Sequence, residues 1–319
     1  MLYFNGNSNT FPSYELMSVY LPVAEMSVAA EAILMLGAFV GFLSGVFGVG
    51  GGFLTTPFLI FMGLPPAIAV GTQANQLVAS SVTGILGYWK RDAVDVKMAG
   101  IMLLGSFFGS LIGVLIFRLF QEMGQIDLLI PISYVLILGS IGLMMLYESA
   151  SALTRRKGTE TGFKPLYQHD FFKSWPYEIK FPKSRLYMSA LIPASIGFVG
   201  GVLVSVMGIG GGFLLVPAMI YILGMPTLLV AGTSLMQIMV TTAFATMMHA
   251  VANHTVDLVL ALLLIIGGVI GAQLGVRATK YVHGALGRVI LALLLLGVSL
   301  RLAGGLFIEP LDLYVLQVK

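Results

Sequence analysis

The chain contains no cysteine and little charge. Without cysteine it has no disulfides, no thiolate metal site and no cysteine nucleophile, and its compartment is left open. Charged residues make up 10% of the 319 positions, against about 25% in soluble domains. Residues 1–30 hold no Lys or Arg, so the basic start of a signal peptide is absent. A net charge of +3 gives no ground for nucleic-acid binding. Signatures of catalysis are missing too: there is no HExxH, no GxSxG, no Walker lysine motif and no carboxylate pair within an apolar run. The reading is therefore a non-enzyme, with no catalytic residues, no metal and no cofactor.

What the chain has in quantity is apolar sequence. It is 58% hydrophobic with a mean hydropathy of +0.97, and its charge is gathered mostly in 90–97, 148–188 and 277–288. Long uncharged runs of this kind are read as transmembrane helices. Spans are expected at about 28–47, 68–89, 98–120, 128–148, 187–207, 229–251, 257–276 and 286–308. The expected class is all-α: a polytopic membrane protein of about eight transmembrane helices plus two re-entrant half-helices, in two internal repeats. Along the chain this gives an N-terminal tail (1–27), a first transmembrane repeat (28–148), a loop (149–186), a second repeat (187–308) and a C-terminal tail (309–319). The loop is basic (Arg155, Arg156, Lys157, Lys164, Lys173, Lys180, Lys183, Arg185) and aromatic (Phe171, Phe172, Trp175, Tyr177, Phe181), as suits a headgroup surface.

Two stretches interrupt the apolar runs. Gly48-Val49-Gly50-Gly51-Gly52-Phe53-Leu54 and Gly208-Ile209-Gly210-Gly211-Gly212-Phe213-Leu214 stand 160 residues apart, and Pro57 and Pro217 follow at equal distance. Glycine is a poor interior helix residue because of its backbone entropy, so a helix stops at each stretch. The apolar segment after the first, Phe53 to Leu64, would be about 18 Å long as a helix, too short for a core of about 30 Å. It reads as a re-entrant half-helix, with its counterpart near 213–224. Further matches are Gly71-Thr72 with Gly232-Thr233, Gln76 with Gln237, and Gly105, Gly109 and Gly113 with Gly267, Gly271 and Gly275. Transporters built from such repeats bind substrate where broken helices meet.

Irregular backbone at membrane depth is tolerated only inside protein or beside a watery cavity. Glycine N–H groups at the start of a half-helix can form an anion site without side-chain charge. The candidate substrate-binding residues are therefore Gly48, Gly50, Gly51, Gly52, Gly208, Gly210, Gly211 and Gly212. A polar stripe follows each break. Thr72, Gln76 and Ser80 lie on one helix face, as do Thr233, Gln237 and Thr241, with Asn75 and Ser234 beside them. These groups can orient an anion's oxygens or hydrogen-bond between helices, and sequence does not choose. The glycine stripes at 37–45, 105–113 and 267–275 read as close helix contacts. Arg118 and Arg301 lie near span ends and read as snorkelling; His249 is the one candidate proton relay.

The positive-inside rule puts the 149–186 loop in the cytoplasm. Four crossings before it give a parallel repeat, whereas the uncharged N-terminus suits the outside and an odd number per half. Both arrangements stay open at this point.

The paired G-[VI]-G-G-G-F-L-x-x-P stretches, Gly224-Met225-Pro226, Ala231-Gly232-Thr233-Ser234-Leu235 and Phe181-Pro182-Lys183-Ser184-Arg185-Leu186-Tyr187 resemble the sulfite exporter TauE/SafE family, over about 30–305. The first copy departs with Thr55-Thr56 where the second has Leu215-Val216. The resemblance implies a secondary transporter in a bacterial or archaeal inner membrane, for sulfite, sulfoacetate or a related organosulfonate; the internal repeat leads to the expectation that it works by movement of one repeat against the other. Its partners are then the small anion, membrane lipid and a coupling proton or sodium ion, with no nucleic acid and the oligomeric state open. The alternatives are an anion channel built from the same elements, or a carrier of another small organic anion.

Overall fold

A computed structural model describes residues 18–47, 50–154, 177–210, 212–278 and 284–307. Gly48, Gly211, most of the central loop and the outer parts of both tails lie outside the described residues. The described chain is mostly helical, and the same order of elements occurs twice. The first half has a hairpin of β1 (Ser18–Leu21) and β2 (Met26–Ala29), then α1 (Ala30–Phe47), α2 (Gly52–Phe61), α3 (Pro66–Trp89), α4 (Val96–Glu122) and α5 (Ile126–Thr154). The second has a hairpin of β3 (Glu178–Phe181) and β4 (Leu186–Ser189), then α6 (Leu191–Met207), α7 (Gly212–Tyr221), α8 (Thr227–Met248) with a π-turn (His249–Asn253), α9 (Leu258–Ala278) and α10 (Gly284–Phe307).

The hairpins are a departure from the expected tail and loop. Both strand pairs are antiparallel, with Leu21 opposite Met26 and Phe181 opposite Leu186. Each alternates polar and apolar residues, buries Leu21 or Phe181 completely, and turns through a residue at positive φ, Glu25 or Arg185. Four-residue strands are too short to stand out from a polar, proline-containing stretch.

Among the described residues six helices are long and apolar enough to cross a membrane: α1, α4, α5, α8 with its π-turn, α9 and α10. Their outward faces carry Met35, Leu104, Leu115, Leu136, Val251, Leu258 and Leu300, all well exposed, as expected for a lipid-facing surface. The expectation of eight spans also counted α3 and α6. α3 is long enough at 24 residues, but buries Thr72, Gln73, Gln76, Ser80 and Ser81, which lowers its hydropathy. α6 has only 17 residues. α2 and α7 have 10 residues each, a length of about 15 Å.

Glycine decides the packing. α1 lies along α9: a Cβ at Gly41 would stand 2.2 Å from the Gly268 carbonyl oxygen, and one at Gly271 1.9 Å from that of Ala38. α4 lies along α6 in the same way: a Cβ at Gly105 or Gly109 would stand 1.9 or 2.0 Å from the Ala194 or Phe198 oxygen. Helices therefore meet backbone to backbone, always between the first and second halves. α5 and α10 pair as well, through Gly142 against Leu296 and a Ser299 hydroxyl donating to the Val135 carbonyl at 3.1 Å. α3 and α8 meet through Gly84 and Leu235.

Two carboxylates tie the hairpins to opposite ends of α3. Asp257, beside the Thr72 end, accepts from the Val23 N–H of the first hairpin's turn at 2.9 Å and from Val259 and Leu260 N–H as the N-cap of α9. Asp95 lies beyond the Trp89 end. It accepts from the Ser184 N–H and hydroxyl at 3.2 and 2.5 Å, and from Met98 N–H at 3.0 Å as the N-cap of α4.

Gly109→Val should destabilise the protein by about 1–3 kcal/mol, the cost of overpacking, because the clash is with backbone. Gly100→Ala, where an added Cβ meets nothing within 4 Å, should be neutral or stabilise by up to about 1 kcal/mol, since alanine suits a helix interior better than glycine. Thermal unfolding of both variants in detergent measures the difference.

Candidate anion site at the two glycine breaks

The two breaks meet. A Cβ at Gly52 would stand 2.8 Å from the carbonyl oxygen of Gly208, across the halves. Ile238 lies against both Gly50 and Gly210, and Leu77 against both Gly52 and Gly210. The chain turns there through left-handed backbone, with φ of +82° at Gly50, +58° at Gly51, +70° at Gly208 and +74° at Gly210. Glycine is required at Gly51, where a side chain would also press on Val40, 2.6 Å from its nearest methyl. Gly212 opens α7 and is buried. Around the breaks packs a core that includes Phe53, Leu54, Tyr134, Met207 and Ile209, with the Tyr134 hydroxyl donating to the Met207 carbonyl at 2.8 Å.

Several break amides are already engaged. Gly52 N–H donates to Gly50 O at 2.6 Å, Leu54 N–H to Gly51 O at 3.0 Å, and Gly208 N–H to Val204 O at 2.8 Å.

The polar stripes divide into structural and free groups. Thr72 and Thr233 hold connecting loops of the opposite half: the Thr72 hydroxyl accepts from Asp257 N–H at 2.9 Å and donates to Thr255 O at 3.3 Å, and the Thr233 hydroxyl accepts from Asp95 N–H at 2.9 Å. Gln76 bridges three helices, accepting from the Thr55 hydroxyl at 3.0 Å and donating to Gly37 O at 3.2 Å. Gln237 donates to the Ser106 hydroxyl at 2.7 Å, which itself lies on the Gly197 carbonyl at 2.9 Å. Asn75, Ser80 and Ser234 donate to carbonyls of their own helices, Thr72, Leu77 and Ala231. Thr241 is buried with a hydroxyl that has no partner.

The residue that stands between the breaks is Gln73, which the stripe pattern passes over. It is completely buried, and neither end of its amide has a hydrogen-bond partner. A Cβ at Gly208 would stand 2.5 Å from its Nε2, and one at Gly52 2.8 Å from its Oε1. Its counterpart in the second half, at the offset that relates Thr72 to Thr233, is Ser234. Asp95 and Asp257 were also passed over, although their spacing of 162 residues equals that of the glycine stripes.

The other ionisable candidates sit apart from the breaks. Arg118 is exposed and paired with Glu122 at 2.9 Å, and Arg301 lies over the Phe61 ring at 5.5 Å. His249 is buried in the π-turn, its Nε2 2.8 Å from Ser205 O, its Nδ1 2.9 Å from the Asn253 amide nitrogen, and its ring edge-on to Phe117. Both ring nitrogens therefore have partners. Among the described residues no group of His, Asp and Glu could hold a metal ion.

Apolar helices around a polar, irregular centre make the class of polytopic membrane proteins. The sulfite exporter TauE/SafE pattern matches residues 33–302, and the chain belongs to that family. It is 28% identical over 256 residues to a probable membrane transporter protein, YunE, of Bacillus subtilis, covering 78% of this chain and 88% of that one. A probable membrane transporter protein of Xylella fastidiosa is 32% identical over 254 residues, covering 77% of this chain and 83% of its own. A sulfite exporter TauE/SafE family protein 5 of Arabidopsis thaliana is 29% identical over 91 residues, 28% of this chain and 20% of that one. No solved structure matches the chain significantly.

The two glutamines should differ in stability effect. Gln76→Leu strands the Thr55 hydroxyl and removes the bond to the Gly37 carbonyl, and should cost about 1–3 kcal/mol. Gln73→Met removes an amide with no partner to lose, so its melting temperature in detergent should equal or exceed that of the unaltered protein.

Proposed function

We propose that the protein is a secondary transporter that moves a small sulfur-containing anion, sulfite or an organosulfonate such as sulfoacetate, across the inner membrane of a bacterium or archaeon. The observation that carries this reading is the meeting of the two glycine breaks across the buried Gln73. The family supplies the substrate class, and the site supplies neutral donors in a low-dielectric setting, where hydrogen bonds to an anion strengthen. Neutral groups suit a substrate that must leave again, because a buried guanidinium would hold it tightly. α2 and α7 act as re-entrant half-helices that bring the breaks to mid-membrane. The halves form an inverted pair: each hairpin enters at its own end of α3, and an odd number of crossings, α3 to α5, separates them. A proton or sodium ion drives the cycle.

Proteoliposomes carrying the purified protein test the reading. Saturable counterflow of radiolabelled sulfite or sulfoacetate is expected, and it should be lost in Gly51→Val while that variant still inserts. A large unitary current in planar bilayers would instead identify a channel, and no flux of any sulfur anion would remove the reading.

A further inference from the structure

This inference rests on the transport reading and narrows its substrate, setting hydrogen sulfite and hydroxylated sulfonates ahead of sulfoacetate, a dianion with no donor at neutral pH. A buried amide that lacks partners at both ends is costly, since each end has lost water without replacement. Gln73 is in that position, completely buried with Nε2 and Oε1 both unpaired. It stands beside the first residue of the 10-residue helix α2 and beside Gly208 of the opposite break. The amide carries one donor end and one acceptor end whichever way it is built, so a ligand that satisfies it must accept at one point and donate at another.

Fully deprotonated sulfite and sulfate only accept. They would answer Nε2 and leave Oε1 facing oxygen lone pairs. Hydrogen sulfite, or a sulfonate with a hydroxyl group, answers both ends. Charge points the same way. Among the described residues no Lys or Arg is buried, and the desolvation cost of an ion rises with the square of its charge, so a monoanion enters far more readily than a dianion. The second half offers no matching amide: Ser234 occupies the equivalent position, and its hydroxyl donates to Ala231 O at 3.0 Å.

We infer that the substrate is a singly charged sulfur oxyanion carrying its own hydrogen-bond donor, and that Gln73 is the residue that reads that donor. The pair isethionate and ethanesulfonate differs in one hydroxyl and carries no titration of its own near neutrality. Calorimetry on the full chain in detergent, with hydrogen sulfite beside this pair, tests the inference. The unaltered protein should bind isethionate about tenfold or more tighter than ethanesulfonate, the effect of one hydrogen bond. Gln73→Met should weaken hydrogen sulfite and isethionate by about as much and leave ethanesulfonate within about twofold. Gln73→Asn, which withdraws the amide without removing it, should weaken the same two ligands, and melting curves show that each variant is folded. Equal binding of the two sulfonates, or undiminished hydrogen sulfite binding by Gln73→Met, overturns the inference and leaves the transport reading standing. If the unaltered protein binds no sulfur anion, both fall together.

Discussion

Everything in this molecule depends on backbone-to-backbone contact between helices of opposite halves. In lipid there is little hydrophobic drive to bring helices together, so association rests on van der Waals packing and hydrogen bonds. Glycine at every fourth position removes the side chains that would hold the backbones apart. That is why Gly37, Gly41 and Gly45 on α1 and Gly267, Gly271 and Gly275 on α9 fit one another, and why Gly105, Gly109 and Gly113 fit the face of α6. The contact does more than join the halves. It fixes α1 and α6, the helices that lead into the breaks, and so sets where the breaks lie.

A second set of ties fixes the depth of each half. Asp95 and Asp257 cap the helices that follow them and also hold the turn of a hairpin, while Thr233 and Thr72 from the opposite half bind the same aspartates' N–H groups. Each carboxylate is buried and surrounded by donors instead of by a cation, an arrangement that satisfies charge through hydrogen bonds. The hairpins, the loops and the ends of α3 and α8 are thereby locked in register. The polar stripe, open in sequence between anion ligands and interhelical hydrogen bonds, contributes in large part to this internal frame.

How much of this was legible in the sequence follows from what repeats. The helix ends, the breaks and the glycine stripes were visible because both halves need them for the same reason. Thr72 and Thr233 were visible as a pair, but their partners were not, since a hydroxyl that donates across a protein looks in sequence like one that awaits a ligand. Gln73 was missed because it does not repeat: a search for matched polar positions selects what the halves share, and Ser234 breaks the match. Thr55, which supports Gln76, belongs to the same class, with Leu215 opposite it. The asymmetry that makes the first break more polar than the second was thus in the sequence as a departure, while the meeting of the breaks across space needed coordinates.

The interlocked packing also limits how such a carrier can move. A rocking of one half as a body against the other, the simplest picture for a repeated sequence, would separate α1 from α9 and α4 from α6. Those are the contacts in which backbones touch, and glycine ridges at that distance have no side chains to slide or repack. The rigid bodies are then composite, each built from one helix of either half. The short helices α2 and α7 are held differently, by side chains such as Leu77, Ile238 and Leu215 and by left-handed glycine hinges at Gly50, Gly51, Gly208 and Gly210. Side-chain contacts can repack and glycine hinges can absorb a change in φ at little cost, so the elements free to shift are the ones that carry the site. On the transport reading proposed above, exposure of the Gln73 region to one face or the other would come from moving the breaks within a frame that stays whole.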